Sequence, residues 1–480
     1  MSSLFKTCFI FLILAFAGNR CLAQSTSSNK HRAAKKTSSN VAFWLTDPSD
    51  STLFKQKTAI ASGDVSDQLQ TIKIDRSQVY QTIDGFGFAL TGGSAILINK
   101  MSAASRAKLL NELFTVDGNA IGVSYLRISV GSSDLDDHVF SYDDLPAGET
   151  DPDLKKFSLA TDEVNLIPVL KQIIAIKPDI KILISPWSAP AWMKTNGETH
   201  GGNLKPEYYK TYAQYFVKYL KGMAAHEINI DALTVQNEPL NPKNNPSMVM
   251  EASEQADFIA NNLGPALTAA KLKTKIILYD HNADRPDYPI SILDKKKAAK
   301  YVDGSAFHLY GGKIEALSTV HDAHPDKNLY FTEEWVGAPG HLKKELKFHI
   351  KDIIIGATRN WSRNVIEWNL AADQNQEPHT PGGCTSCLGA ITITGDSVIR
   401  NPAYYIVAHA AKFVRPESKR IGSNLFPGLP NVAFIAPGNK MVVIVYNDDA
   451  SVQAFNIVFG AKAITSSLNP GAVGTYVWDL

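Results

Sequence analysis

Short apolar runs typical of β-strands alternate with helix-like stretches through the middle of the chain. The apolar runs are Gly85–Ala89, Tyr125–Val130, Ile180–Ser185, Ala232–Gln236, Lys275–Tyr279, Gly304–Leu309, Asn328–Thr332 and Asn364–Trp368. Stretches at 205–226, 253–271 and 342–360 have helical spacing. Eight strands separated by helices predict a (β/α)8 TIM barrel over residues 81–400. The alternative is an open doubly wound sheet, which usually has fewer strands and a glycine-rich phosphate turn that this sequence lacks.

The alternation stops after residue 400, and both flanks of the barrel have an all-β pattern. The apolar runs there are Val41–Leu45, Leu69–Ile74, Met441–Tyr446, Val452–Val458 and Thr475–Trp478. Turn residues separate the C-terminal runs. We therefore predict an α/β fold with an all-β side domain of β-sandwich type, in which strands from residues 41–80 join those of residues 401–480.

The first 23 residues have the pattern of a secretory signal peptide. The apolar core Cys8–Ala17 is too short to span a bilayer, and small residues precede a cleavage position after Ala23. Cys21 is an alternative site of lipidation, which the bulky residues before it disfavour. Residues 24–40 are rich in Ser, Lys, Thr and Asn and predict a flexible tether. We expect an exported protein, periplasmic, at the cell surface or extracellular, with no integral membrane segment after cleavage.

Composition and charge narrow the class of partner. Hydrophobic residues make up 44% of the 480, and 48 basic residues balance 47 acidic ones, so the net charge is +1. Such a chain is globular and has no basic field to attract nucleic acid. The sequence contains no G-x-S-x-G elbow and no phosphate-binding P-loop, and we predict no cofactor. The sequence does not indicate an oligomeric state, and we expect a monomer.

Two short pairs of potential metal ligands lack the partners that a metal site requires. Cys384 and Cys387 lie in a glycine-rich loop without a second pair of ligands, which indicates a local disulfide or two free thiols. His321 and His324 have no carboxylate partner motif and fit a solvated loop. We therefore predict no metal.

Two glutamates follow well-separated strands of the predicted barrel. Glu238 comes after the fourth strand and Glu333 after the seventh, and catalytic residues of barrel enzymes lie at these carboxyl ends. Other chemically useful side chains at strand ends are Arg127, Trp187, Asp280, His308, Tyr310, Trp368 and Asn369. Two carboxyl groups ringed by Trp, Tyr and Asn fit glycoside hydrolysis, which needs one protonated acid and one ionised carboxylate. Each glutamate alone would also fit an ordinary turn or a surface acid.

Five motifs are distributed over the strand ends. They are Gln81–Gly87, Ser185–Gly197, Gln236–Pro239, Glu333–Gly337 and Trp368–Leu370. Together they resemble glycoside hydrolase family 30, which includes glucosylceramidases and endo-β-1,6-glucanases. The similarity extends from residue 80 to the C terminus, and the Ser-Pro-Trp block is its most specific part. The resemblance implies a barrel with a β-sandwich-like side domain, a retaining mechanism and no metal.

The resemblance also implies the two catalytic roles. Glu238 would be the acid/base, and Asn237 beside it would donate a hydrogen bond to the sugar 2-hydroxyl. Glu333 would be the nucleophile. Glu334 is the alternative, because strand alternation lets only one of the two face the barrel axis.

The resemblance also implies, from their positions at the strand ends, which residues support the two glutamates. Tyr310 would hydrogen-bond the nucleophile, and Arg127 would pair with it and keep it ionised. Trp187 and Trp368 would form a platform around the sugar that is attacked, with core packing as the alternative. His308 would support the site or have a buried structural role.

One position departs from the glucosylceramidase branch of the family. Where that branch has an aspartate that binds outer hydroxyls of the glucose, this chain has Gly92. The missing side chain leaves those hydroxyls to another group or leaves room for another sugar, and it favours a β-glucan over glucosylceramide. The loop 371–389 would shape the sites beyond the cleaved bond.

The leading prediction is therefore a secreted retaining β-glycosidase that hydrolyses a β-glucan by double displacement, with endo-β-1,6-glucanase as the favoured specificity. The expected partner is a β-linked glucan or oligosaccharide. Glucosylceramidase, or another exo-acting β-glucosidase or β-xylosidase of the same family, is the first alternative. A carbohydrate-binding protein on a catalytically dead scaffold is the alternative from another class, and it is disfavoured because both glutamates are present.

Overall fold

The structure, a computed structural model, describes residues 40–480. The predicted signal peptide, Cys21 and the tether up to residue 39 lie outside the described residues. Between residues 40 and 480, no helix is both long and apolar enough to cross a membrane.

Strands occupy the predicted apolar runs and several shorter segments. In chain order they are β1 (Val41–Asp47), β2 (Thr52–Ile60), β3 (Gln70–Thr82), β4 (Gly85–Ala89), β5 (Tyr125–Ser129), β6 (Lys181–Ser185), β7 (Ala232–Thr234), β8 (Lys275–Ala283), β9 (Val302–Gly312), β10 (Asn328–Glu333), β11 (Val336–Gly337), β12 (Ser362–Asn369), β13 (Ala371–Ala372), β14 (Cys387–Leu388), β15 (Ile391–Thr394), β16 (Ser397–Arg400), β17 (Lys419–Ser423), β18 (Asn431–Ala436), β19 (Lys440–Tyr446), β20 (Gln453–Phe459), β21 (Lys462–Leu468) and β22 (Val473–Asp479).

Helices fill the intervals between the barrel strands. They are α1 (Gly92–Lys100), α2 (Ala103–Phe114), α3 (Ala160–Val164), α4 (Leu166–Ile176), α5 (Tyr209–Ala225), α6 (Ala252–Phe258), α7 (Gly264–Ala269), α8 (Asp287–Leu293), α9 (Lys296–Ala299), α10 (Ala316–Ala323), α11 (Leu342–Glu345), α12 (Gly356–Arg359) and α13 (Pro402–Ala411). The π-helical segments Ile259–Leu263 and Leu346–Ile355 join α6 to α7 and α11 to α12, and 3₁₀ turns lie at Ala191–Met193 and Pro206–Tyr208. The three predicted helical stretches are confirmed.

Eight parallel strands of the described chain, β4–β10 and β12, form a closed barrel in which β12 pairs with β4. This confirms the predicted TIM barrel. β4 and β5 are buried at every position, as strands covered on both faces must be. Seven of the strands each contribute one side chain to a layer inside the barrel: Tyr125, Leu183, Ala232, Ile277, Ala306, Tyr330 and Ile366. β4 runs beside this layer with Gly87, whose Cβ would lie 1.8 Å from the carbonyl oxygen of Tyr125, so a larger residue would force the strands apart.

The all-β domain combines strands from both ends of the described chain. Its strand order is β2-β1-β22-β19-β18-β17-β3-β20-β21. β1 pairs with β22, and the long strand β3 pairs with β17 along one part and with β20 along another. Its core contains Ile72, Ile421, Val443, Phe455 and Tyr476, among others. The predicted contribution of N-terminal strands to this domain is thus confirmed.

Helix α13 packs the barrel against β2 and β22 of this sheet. His409 of α13 is fully buried there, and its two ring nitrogens hydrogen-bond the hydroxyls of Thr475 and Thr46 at 2.8 Å each. Burial lowers the pKa of His409 to about 3, so the imidazole is neutral. At α13 the contact between the two domains is therefore held by neutral hydrogen bonds and apolar packing. Elsewhere in it, Lys347 and Lys351 of the barrel pair with Asp448 of the β domain.

Candidate active site

A cavity of about 540 Å³ opens at the carboxyl end of the barrel. Side chains from several strand ends and loops line it: Asp134, Glu238, Asn241, Asn244, His281, Tyr310, Glu333, Trp335, Trp368, Cys384 and Cys387. Both predicted catalytic glutamates thus face one space, at the end of the barrel where substrates of this fold bind.

Glu333 lies at the end of β10 and is held by two partners. Arg127 Nη1 donates to its Oε2 at 2.5 Å, and the Tyr310 hydroxyl donates to its Oε1 at 3.0 Å. Burial raises the pKa of Glu333, and the charges of His308 and Arg127 oppose that rise. A register irregularity between Phe331 and Glu333 turns this carboxylate into the cavity. The contacts predicted for Tyr310 and Arg127 are present.

Glu334 has a different environment. Its carboxylate accepts a hydrogen bond from the Trp335 backbone at 3.3 Å. Burial raises its pKa to about 8, and the nearby charge of Glu367 adds to that rise while His349 opposes it. Glu334 belongs to a buried cluster behind the strand end, and Glu333 is the one of the pair that reaches the cavity.

Glu238 follows β7 in a left-handed backbone conformation, with φ of 43°. Such a backbone is uncommon for a non-glycine residue and often marks a functional position. Asn241 and Asn244 donate to its Oε2 at 2.7 and 3.2 Å, and the Nδ1 atoms of His308 and His281 lie 3.4 and 3.6 Å from its Oε1. Burial raises the pKa of Glu238, but the two imidazoles outweigh it and leave that pKa below its usual range.

Asp280 links these groups beneath the cavity. It accepts from Arg127 at 2.8 Å and from His308 at 3.1 Å, and the hydroxyls of Ser185, Thr234 and Thr332 donate to it at 2.6–2.7 Å. Burial would raise the pKa of Asp280, but the charge of Arg127 and the hydrogen bond of His308 hold it well below its usual range. Its carboxylate therefore fixes both cations in position.

The charges of the cluster formed by Arg127, His308, Asp280, Glu238 and Glu333 are nearly balanced. Burial lowers the pKa of His308, but Glu333, Asp280 and Glu238 outweigh it and raise that pKa to about 10. His308 and Arg127 are thus two cations set against three carboxylates. One further proton on the cluster makes it neutral, which is the state that a buried site favours.

An aromatic platform covers Arg127. The rings of Trp187 and Trp368 stack with centroids 5.5 Å apart, and the guanidinium lies 4.7 Å from the first ring and 5.8 Å from the second. Both tryptophans are almost fully buried. Asn237 accepts from Arg127 Nη2 at 2.6 Å through its side-chain oxygen, which fixes the orientation of the amide and leaves its NH₂ group to donate. The predicted substrate-binding residues therefore form one connected group.

The space beside Gly92 is filled. A Cβ at this position would lie 1.5 Å from the Oδ1 atom of Asp136, whose carboxylate accepts from the backbone and hydroxyl of Ser133. The expectation that a missing side chain leaves room for another sugar is not met here.

Cys384 and Cys387 form a disulfide. Both line the cavity, and Cys387 packs in a cluster with Trp187 and Trp368. The loop that carries them, predicted to shape the outer sites, thus contributes directly to the wall of the cavity.

One group of side chains has the donor atoms for a metal ion. Glu238, His281 and His308 each offer a ligand atom, and these atoms lie within 4.8 Å of one another. His308 hydrogen-bonds Asp280 through Nε2 at 3.1 Å and Glu238 through Nδ1 at 3.4 Å, so a metal bound at Nδ1 would compete with the second of these hydrogen bonds.

Several residues of the cavity were not assigned by the sequence. His281 follows Asp280 at the end of a strand, so its position was visible, but no motif marked it. Asn241 and Asn244 lie in the loop after Glu238, and Asp134 lies in the loop after β5. Position after a strand end was the available signal for all of them.

The two cavity glutamates face each other across a short gap. His308 Nδ1 lies 3.4 Å from Glu238 Oε1 and 3.9 Å from Glu333 Oε1. These distances limit the separation of the two oxygens to about 7 Å. That limit allows the separation of roughly 5–5.5 Å found in retaining glycosidases, whereas most of the inverting range of about 6.5–9.5 Å lies beyond it. The arrangement places one carboxylate beside a cation and a second carboxyl across the gap, which are the two groups that a retaining mechanism requires.

Comparison with known proteins identifies the same two domains. The model of the glycosyl hydrolase family 30 TIM-barrel domain matches residues 83–414, and that of the glycosyl hydrolase family 30 beta sandwich domain matches residues 417–476.

Similar proteins include both branches named above. An endo-1,6-beta-D-glucanase of Trichoderma harzianum is 35% identical over 395 residues, which cover 78% of each chain. The lysosomal acid glucosylceramidase of Mus musculus is 28% identical over 432 residues, which cover 83% of this chain and 81% of that one. Among solved structures, the endo-beta1,6-glucanase BT3312 is 32% identical with a TM-score of 0.83, covering 92% of this chain and all of that one.

Proposed function

Because the chain belongs to glycosyl hydrolase family 30 and is a glycoside hydrolase, we propose that it is an exported, retaining endo-β-1,6-glucanase. The observation that carries the reaction is the pair of carboxylates across one gap, Glu333 held by Arg127 and Tyr310, and Glu238 held by amides and imidazoles. The N-terminal signal-peptide pattern supports export.

In the first step, Glu333 attacks the anomeric carbon. A carboxylate oxygen forms an ester bond to that carbon as the bond to the leaving sugar oxygen breaks, and Glu238 gives its proton to the leaving oxygen. Arg127 and Tyr310 aim the attacking carboxylate. The Asn237 amide donates to the 2-hydroxyl, and this bond strengthens as positive charge develops on the sugar.

Glu238 must be protonated at this moment, although its pKa in the free protein is low. His308 supplies the explanation, because its Nδ1 lies beside the Glu238 carboxylate. A sugar that fills the gap excludes water, and loss of water favours a neutral imidazole beside a carboxylic acid over an ion pair. The same proton thus moves from His308 to Glu238 when substrate binds.

In the second step, water attacks the anomeric carbon and its proton passes to the Glu238 carboxylate. The ester bond breaks and Glu333 leaves as a carboxylate, again paired with Arg127. Two inversions at the same carbon retain the β configuration.

The β-1,6-glucan specificity rests on sequence similarity. The endo-1,6-glucanases are 35–38% identical to this chain, whereas the glucosylceramidases are 27–28% identical. Gly92 also separates this chain from the glucosylceramidase pattern.

The test is the product profile of the purified protein on a linear β-1,6-glucan, an aryl β-glucoside and glucosylceramide. We expect a ladder of β-1,6-linked oligosaccharides from the glucan. Glu333→Gln should reduce its hydrolysis about a thousandfold or more, because the nucleophile is lost. Glu334→Gln is the matched control, one residue along the chain, and should retain most activity.

Glucose release from the lipid or the aryl glucoside alone would contradict the proposed specificity and favour a glucosylceramidase-like or exo-acting enzyme. Equal loss of activity in the two variants would contradict the assignment of Glu333 as nucleophile.

A further inference from the structure

Three buried side chains on one side of the cavity have the donor set of a transition-metal site. Glu238, His281 and His308 each offer one ligand atom, and the three atoms lie within 4.8 Å of one another. All three residues are buried. Two imidazoles and one carboxylate are the protein ligands of several zinc enzymes, in which a fourth position stays open to water or substrate. The cavity would provide that fourth position here.

The spacing of the ligand atoms is close to that of a tetrahedral ion. The Nδ1 atoms of His308 and His281 lie 3.4 and 3.6 Å from the Oε1 atom of Glu238. Bonds from zinc to nitrogen or oxygen are about 2.0–2.2 Å long, so neighbouring ligands of a tetrahedral ion lie about 3.3–3.5 Å apart. Small side-chain rotations would therefore complete the site.

The surrounding hydrogen bonds leave these ligand atoms available. Asn241 and Asn244 donate to the Oε2 atom of Glu238, so its Oε1 atom is the one that faces the imidazoles. Within residues 40–480, the buried Nδ1 atom of His281 has no hydrogen-bond partner. A buried polar atom without a partner is costly, and a cation bound between His281 and Glu238 would supply one.

Asp280 gives His308 the outer support that is typical of a metal ligand. The Nε2 atom of His308 donates to Oδ1 of Asp280 at 3.1 Å, and the Thr332 hydroxyl donates to the same oxygen at 2.6 Å. A metal-binding histidine almost always donates its other ring N–H to a carboxylate, a carbonyl or water, which fixes the tautomer. In a neutral His308 that donates from Nε2, the lone pair of Nδ1 points toward Glu238.

The charge around the site favours a divalent cation. A histidine that binds a metal is neutral. With His308 neutral, the cluster sets the three carboxylates of Glu238, Glu333 and Asp280 against the guanidinium of Arg127, which leaves two negative charges. One divalent ion neutralises them. The open cavity gives the ion an entry path, since Glu238 lines its wall.

We propose that Glu238, His281 and His308 bind a divalent transition-metal ion such as Zn²⁺, and that the bound ion reversibly inhibits hydrolysis. The ion takes the place of the proton that Glu238 gives to the leaving oxygen. Imidazole suits zinc, whereas magnesium and calcium prefer oxygen ligands. The binding site goes beyond the proposed function, and the inhibition rests on it, because it follows from the acid/base role of Glu238.

The experiment uses the full chain without a histidine tag, freed of metal by a chelator and then titrated with zinc chloride. We expect zinc to lower kcat/KM on the β-1,6-glucan and on an aryl β-glucoside, and the chelator to restore both. Loss of an outer partner alone lowers metal affinity about 10- to 100-fold, so His281→Gln, which removes a ligand, should need at least about tenfold more zinc for half inhibition. The glucan should be inhibited more strongly, because an aryl leaving group needs little proton assistance.

His321→Gln is the matched control. His321 and His324 each lie beside an aspartate, outside the cavity, and offer zinc an alternative surface pair. We expect this variant to be inhibited as wild type is, and magnesium or calcium chloride to leave wild type unaffected. Binding is also measured without turnover, by the rise of Tm with zinc and by the visible absorption of Co²⁺, which substitutes for zinc in such sites.

Equal zinc sensitivity of wild type and His281→Gln would overturn the proposal, as would relief of inhibition in His321→Gln. Wild type that binds neither zinc nor cobalt at millimolar concentrations would overturn it even if His281→Gln does not fold. Binding without inhibition would overturn the inhibitory role. Failure of the proposed function is distinct, because there the metal-free wild type itself would not produce oligosaccharides from the β-1,6-glucan, whereas binding of zinc and cobalt can still be measured.

Discussion

Two fully buried histidines show how differently the catalytic cavity and the contact between the two domains use polar side chains. His308 lies among charges at the catalytic end, and its pKa is raised to about 10. His409 lies between the barrel and the β domain, bonded to two threonine hydroxyls, and its pKa is lowered to about 3. Burial acts on both in the same direction, so the partners decide the charge.

The surroundings of His409 suit a stabilising contact between domains, whereas those of His308 suit a functional site. A neutral imidazole between hydroxyls joins two domains without leaving a charge in an apolar contact. The charged cluster around Arg127 and Asp280 is a costly arrangement that stability alone would not favour, because a buried ion pair barely repays its desolvation. In the proposed mechanism, the cluster aims Glu333 and stores the proton that Glu238 needs.

Among the groups that surround the two glutamates, the largest effect should follow from Asp280→Asn, which keeps the shape of the side chain and removes the charge that holds Arg127 and His308. We expect kcat on an aryl β-glucoside to fall at least about a hundredfold, since a one-ångström misplacement of catalytic groups has that effect. Breaking a buried ion pair also destabilises a protein, by about 3–5 kcal/mol. Steady-state kinetics and thermal unfolding measure the two effects.

Asp162→Asn is the matched control for that experiment. Asp162 is also buried, but its carboxylate accepts from the Tyr142 hydroxyl at 2.6 Å and, within the described chain, forms no ion pair. Burial raises its pKa to about 7. We expect little change in activity, and equal losses for the two variants would contradict a special role of the Asp280 charge.

The scaffold of this cluster was largely predictable from the sequence. Strands such as β5 and β6 are short buried runs between helices, and that repeat is local information. Motifs at the strand ends also led to several of the residues that line the cavity. Sequence pattern therefore located both glutamates and the two tryptophans.

The features of the site that could not be predicted depend on irregular backbone and on contacts between residues that are distant in sequence. Strict alternation would place Thr332 and Glu333 on opposite faces, yet both contact the cluster because β10 changes register there. Asp280 takes a left-handed conformation with φ of 63° inside β8. Asp134 is positioned by glycines and a loop far away in sequence, and no local pattern reports such a contact.

An intermediate effect is expected when the two histidines are exchanged for glutamine. In His308→Gln the stored proton is lost, so the alkaline limb of kcat/KM should move to lower pH, and kcat should fall about 10²-fold. In the wild type that proton is retained up to the pKa of about 10. In His409→Gln the pH–rate profile should be unchanged. Kinetics of both variants from acid to alkaline pH make the comparison.

Stability should respond to pH with opposite sign at the two sites. The raised pKa of His308 gives stability that is complete below about 6.5 and is lost as pH rises toward 10. The lowered pKa of His409 makes the folded state lose stability as pH falls from about 6.5 toward 3, by up to about 1.4 kcal/mol per pH unit. His409→Gln should remove that acid sensitivity in thermal unfolding, and an unchanged slope would contradict a neutral buried imidazole.

The smallest effect is expected from removing the disulfide with Cys384→Ala and Cys387→Ala together. The bond closes a loop with a sequence separation of 3, so its contribution to stability is at most about 2 kcal/mol. Cys387 is 4% exposed, and its strand β14 remains paired with β11, so the wall near the tryptophans should persist without the bond. The outer wall at Cys384 should loosen.

We therefore expect KM for the β-1,6-glucan to rise a few-fold with kcat unchanged when the disulfide is removed. Kinetics on the aryl glucoside, which does not extend to the outer sites, should stay as in wild type. A fall in kcat on both substrates would instead place the disulfide with the charged cluster, as part of what holds Glu333.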